Sequence, residues 1–211
     1  MTDKQADYLQ EQLIATRRTQ ILEAATTLFA EKGFARTTIK EIAQAAGLAE
    51  GTIYLYFKNK DALLLALLDQ LNESERRAVD LAQAGTGGLE DFMRSYLAHR
   101  LTHMQQDMPL LQALLGEMLI NNKLGQQYYE QIIAPTYALG LEPFKELIAR
   151  GQMRDLDPAL TVRAIPALVL GLLMLQLLGD TELENRRADL PDFITTLLFK
   201  GLNPEPPHDH D

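Results

Sequence analysis

Three observations predict an all-α chain. Apolar residues recur at three- and four-residue spacing, first at Ile14, Ile21, Leu22, Ala25, Leu28 and Phe29. Helix-start signals are frequent, at Thr38 with Glu41, at Asn59, and at Asp157 with Pro158. Beyond residue 88 no stretch shows the period-two alternation or the β-branched clustering of a strand. The same signals divide the chain. Residues 1–60 read as a three-helix helix-turn-helix domain, joined onward through a fourth helix at about 59–83. A second helical domain covers 84–203, and a tail runs over 204–211.

The elements follow in order. Residues 1–12 are polar and are expected to fray. The first helix then runs to about Lys32, where Gly33 suits the left-handed position after a helix end and Phe34 supplies the following apolar contact. Thr38-Ile39-Lys40-Glu41 is a capping box that opens helix two, and Gly47 stops it. Helix three is expected from about Glu50 to Tyr56. Asn59 caps helix four, which carries Leu63, Leu64, Leu67, Leu68 and Leu71 and is expected to continue to about Gln83. Ala84-Gly85-Thr86-Gly87-Gly88 reads as a linker. Beyond it, helices are expected near 89–105, 108–121, 125–150, 158–179 and 189–201. Pro135, Pro143 and Pro166 fall inside apolar periodic stretches and should kink or break them. The tail has three prolines and alternating His and Asp, and is expected to be disordered.

With 211 residues the chain is long enough for a sizeable core. It has no cysteine, so disulfides and thiolate metal sites are excluded. The start Met1-Thr2-Asp3-Lys4-Gln5 is polar and unlike a signal peptide. The longest apolar run, Ile165–Leu178, is broken by Gln176 and is shorter than the ~18 residues of a membrane span, so no membrane partner is expected. Net charge is −9, but residues 1–60 hold eight Lys/Arg against seven Asp/Glu. The acidic excess therefore lies beyond the helix-turn-helix. A near-neutral reader should bind non-specific DNA weakly.

The N-terminal residues resemble the DNA-binding domain of the TetR family of transcriptional regulators. The matching features are Arg17 through Phe29, Gly33-Phe34, Thr37-Thr38, Glu41-Ile42-Ala43, Ala46-Gly47 and Gly51-Thr52-Ile53-Tyr54-Leu55-Tyr56-Phe57 with Lys60. The resemblance implies a cytoplasmic homodimer, most simply a ligand-responsive repressor, that inserts helix three of each subunit into the major groove of a palindromic double-stranded operator. It also implies that residues 84–203 form the effector-binding and dimerisation domain. Two positions depart from the family pattern. Ala49 stands where Ser or Thr often caps helix three, and Glu50 where a neutral or basic residue is common.

Roles can be assigned along the motif. Gly51 lets backbone approach DNA, and Thr52 and Leu55 can reach base edges or a thymine methyl. Tyr54 and Tyr56 carry hydroxyls for phosphate. Lys60, with Lys58, supplies charge at the start of helix four. Thr37, Thr38 and Lys40 lie where helix two crosses the DNA backbone. Ala49 and Glu50 complete the DNA-facing set. Ile53 and Phe57 are read as core.

In the second domain Tyr96, His99, His103, Met104, Met118, Tyr128 and Tyr137 are candidates to line a pocket for a hydrophobic small-molecule effector. Arg94, Arg100 and Lys123 are dispersed and read as solvated. Leu168, Leu172, Leu175, Phe193, Leu197 and Leu198 offer more apolar surface than one small domain buries, which points to a dimer interface built as a four-helix bundle. His99 and His103 share a helix face, but no cysteine accompanies them and no metal is expected. No cofactor is expected, and no catalytic constellation is present in the sequence, so an enzyme is not expected. The alternative is a helical small-molecule or lipid-binding protein of the same fold that has lost DNA binding. Glu50 and the acidic balance favour that alternative.

Overall fold

The computed structural model describes residues 3–73 and 88–201, and every regular element among them is helical. The all-α expectation therefore holds. The elements are α1 (Asp3–Lys32), α2 (Ile39–Ala45), α3 (Glu50–Tyr56), α4 (Lys60–Asn72), α5 (Leu89–Gln106), α6 (Met108–Ile120), α7 (Asn122–Tyr128), α8 (Ala134–Ala149), α9 (Pro158–Leu177), α10 (Thr181–Asn185) and α11 (Leu190–Lys200). A π-helical turn, Tyr129–Ile133, joins α7 to α8, and a 3-10 turn, Arg187–Asp189, precedes α11.

The chain forms two compact units. One holds α1 to α4 together with α6, α7 and the π turn; the other holds α5 and α8 to α11. In the first, α1 is the central support. Ile21, Leu22, Ala25 and Phe29 are buried along it and meet Ile42 and Ala43 of α2, Ile53 of α3, and Leu63, Leu64, Leu67 and Leu68 of α4. Leu110 and Leu114 of α6, Leu124 of α7 and Ile132 of the π turn extend the same core. The Phe29 and Phe34 rings meet edge-to-face at 5.2 Å, a favoured aromatic geometry. In the second unit α11 packs along α5, and Arg94 of α5 reaches Asp192 of α11 at 2.6 Å as well as Asp91 and Glu90 on its own helix.

Several boundaries differ from the sequence reading, each for a local reason. Residues 3–12 are helical rather than frayed, and they contain neither Gly nor Pro. The side chains over 7–16 are exposed, so this stretch stands outside the core that begins at Ile21. Helix α4 ends at Asn72, short of Gln83. Glu73 takes a left-handed conformation (φ 50, ψ 43) and its N–H bonds the Asp69 and Gln70 carbonyls. Residues 74–87, with most of the expected linker, and the tail beyond 201 lie outside the described residues.

The prolines break no helix: α8 continues through Pro143 and α9 through Pro166. At Pro135 the chain adjusts instead. Proline has no N–H, and its ring crowds the carbonyl four residues back, here Gln131. The turn just before it widens to π, with the Ala134 N–H bonding the Tyr129 carbonyl.

Phe29 is fully buried at the centre of the first unit. Phe29→Ala is expected to cost about 3–5 kcal/mol by urea unfolding. A loss no larger than a surface substitution gives would show that α1 is not the support of α2 and α3.

Candidate nucleic-acid interface

Helices α2 and α3 have seven residues each, too few to persist alone. Local caps define where they begin and end. Thr38 Oγ1 accepts from the Glu41 N–H at 3.2 Å, while Glu41 Oε2 accepts from the Thr38 N–H at 2.9 Å, completing the expected capping box. At the other end Gly47 (φ 65) donates to Gln44 and Leu48 donates to Ala43, the two bonds of a Schellman motif. Ala49 gives α3 no side-chain cap. Asn59 caps α4 through the Ala62 N–H.

A second set of bonds is long-range. The Gln20 amide on α1 donates to the Ala46 carbonyl at the end of α2 (2.6 Å). Arg18 on α1 donates to the Tyr56 carbonyl at the end of α3 (3.2 Å), with its guanidinium 4.5 Å from the Phe57 ring centroid. Lys60 Nζ donates to the Phe34, Ala35 and Thr37 carbonyls at 2.8, 3.3 and 3.0 Å, over the Phe34 ring. The Thr37 hydroxyl bonds the Gly33 and Leu28 carbonyls. Peptide carbonyls at or just after the ends of α1, α2 and α3 are thus held by side chains of the same unit. Gln20 and Arg18 did not figure among the sequence candidates, because the partners lie 26 and 38 residues away.

The sequence candidates now separate. Thr38, Lys40, Ala49, Glu50, Gly51, Tyr54, Leu55 and Lys58 are exposed, with Leu55 at 81%. Thr52 is half-buried. A Cβ on Gly51 would meet nothing within 4 Å, so open space lies beyond this turn. Ile53 and Phe57 are core, as expected, and half-buried Tyr56 packs against that core. One assignment needs correction. Thr37 is 1% exposed and its hydroxyl is occupied, so it supports the connection instead of facing DNA. Lys60 has all three ammonium hydrogens directed at carbonyls, so in this conformation it offers none to a phosphate.

Elsewhere, Met118 and Tyr128 pack against the core of the first unit. Tyr96, His99, His103, Met104 and Tyr137 lie in the second. Tyr96 stacks on Phe92, the His99 and His103 rings lie 4.1 Å apart, and Tyr137 faces the Arg163 guanidinium. Arg100 is buried rather than solvated, and Arg94 is held by three carboxylates.

Residues 21–67 match the model of the bacterial regulatory proteins, tetR family. Over these residues the chain is similar to the DNA-binding domain of TetR-family regulators. The match spans α2, α3 and the flanking parts of α1 and α4, whose buried residues belong to the core described above. Among curated relatives of this family domain, the HTH-type transcriptional repressor Rv1474c of Mycobacterium tuberculosis is 41% identical over 88 residues. That alignment covers 42% of this chain and 44% of the relative, so the chain spans less than half the length of that protein. Likeness to solved structures extends further. Salmonella enterica GusR superposes with a TM-score of 0.72 at 26% identity, covering 89% of this chain and 95% of that one. Bacillus subtilis FadR in complex with stearoyl-CoA gives 0.66 at 25% identity, covering 88% and 99%.

Glu41 gives this domain a testable pH response. Lys32, at 2.8 Å, and then the Thr38 N–H and hydroxyl stabilise its carboxylate and lower its pKa from 4.5 to about 2. A depressed folded-state pKa stabilises the fold fully above the unfolded value, and that contribution is lost as pH falls towards 2. The melting temperature should fall through this window less steeply in Glu41→Gln than in the parent. Parallel melting profiles from pH 5 to 2 would refute the assignment.

Proposed function

We propose that the chain is a sequence-specific transcriptional regulator, a ligand-responsive repressor that binds a palindromic operator as a homodimer. The exposed face of α3 carries this reading. Leu55 and Tyr54 are largely uncovered and Gly51 opens onto free space, while Ile53 and Phe57 anchor the same segment in the core. A seven-residue helix that keeps a large aliphatic residue in water is suited to meeting base edges and thymine methyls. The match of residues 21–67 to the TetR model supports the same reading. A regulator of this kind works in the cytoplasm.

The dimer is supported by α9 and α11. Helix α9 is long and apolar enough to cross a membrane by length and composition. It starts at Pro158, well before the run the sequence reading considered, yet only 17% of its most apolar window is buried. Leu175 and Phe193 are 46% and 59% exposed, Leu198 is exposed, and Leu168, Leu172 and Leu197 are half-buried. A second copy packing its own α9 and α11 here would cover this surface as a four-helix bundle. Two reading helices would then meet successive major grooves about 34 Å apart. The FadR relative, solved with stearoyl-CoA, supports a hydrophobic effector for this chain. Such a molecule can shift DNA binding only by its different affinity for the bound and free states.

Selection of duplexes from a random pool tests the reading directly. The full chain should enrich a palindromic sequence, and a pool that remains random would refute it. Sedimentation tests the dimer. The parent should sediment as a dimer at micromolar concentration, and Leu175→Glu combined with Phe193→Glu should sediment as a monomer. A parent that is monomeric under these conditions would overturn the bundle.

A further inference from the structure

Lys60 and Arg18 present opposite hydrogen-bonding states. An ammonium has three N–H groups, and Lys60 directs its own at three backbone carbonyls of the α1–α2 connection. Turning it towards a phosphate would leave the Phe34, Ala35 and Thr37 carbonyls to find other donors. It would also withdraw the cation from the Phe34 ring, 4.3 Å away.

Arg18 is exposed, and its guanidinium has five N–H groups. Among the described residues it makes one hydrogen bond, from Nη1 to the Tyr56 carbonyl, and no carboxylate pairs with it. That bond and the Phe57 ring fix the cation at the C-terminal end of α3, on the helix that exposes Tyr54 and Leu55. The planar fork of an arginine matches a phosphate, and a fork already held loses less conformational freedom on gripping one.

We infer that Arg18 is a DNA-phosphate ligand at the C-terminal end of the recognition helix. The inference rests on the reading of the chain as a DNA-binding regulator. It adds a phosphate contact from α1, which sequence position did not suggest.

The role shows in the salt dependence of binding. Each phosphate neutralised adds about 0.9 to the slope of log K against log salt. A fluorescent duplex selected by the full chain is titrated with the parent, Arg18→Gln and Arg18→Lys across a range of KCl. Arg18→Gln should flatten the slope by about one unit for each subunit bound, and Arg18→Lys should restore most of it. The proposal is overturned if Arg18→Gln keeps the parental slope. A parent that binds no duplex overturns the DNA reading and this inference together. A parent that binds with a slope insensitive to Arg18 overturns the inference alone.

Discussion

The shortness of α2 and α3 is the constraint on which the reading head depends. A seven-residue helix makes too few internal bonds to repay its nucleation, so each must borrow stability. The loan comes from α1 and α4, through burial of Ile42, Ala43, Ile53 and Phe57 against Ile21, Phe29, Leu63 and Leu64. Burial of this kind fixes one face and leaves the other free. It therefore stabilises the motif and presents Tyr54 and Leu55 to solvent in the same act.

Burial does not settle the polar ends. Each short helix ends with unpaired carbonyls, and a loop without partners would let its angle drift. Here Gln20 and Arg18 on α1 supply donors to those ends, while Thr37 and Lys60 supply donors to carbonyls of α1 and the α1–α2 connection. Apolar packing sets the distance between helices, and these bonds restrict rotation about it. Thr38 and Glu41 add a local version of the same device at the start of α2.

What was legible in the sequence follows from this difference. The capping box spans three residues, Asn59 reaches Ala62, and Asp157 reaches Leu160, so each could be read from spacing alone. The core of α1 was legible through its helical period. The bonds of Lys60 were not legible, because their acceptors lie 23 to 26 residues away and include no side chain. Backbone carbonyls leave no mark in a sequence. Thr37 was misread for the same reason. Helix α10 was missed because five residues show no period, although Asp180 caps it. The exposed start of α1 was read as frayed on polarity, when its lack of Gly and Pro spoke for helix.

The π turn before Pro135 has a consequence for how the chain can change. A wide turn holds one residue more than an α turn, and each residue advances a helix by about 100°. Replacing Pro135 with a residue that has an N–H would remove the reason for the extra width. If the segment then rewound as ordinary α-helix, Thr136, Gly140 and Phe144, now buried, would swing around the axis together. A substitution there acts as a shift of phase along the helix, and a deletion of one residue within 129–133 is its natural compensation.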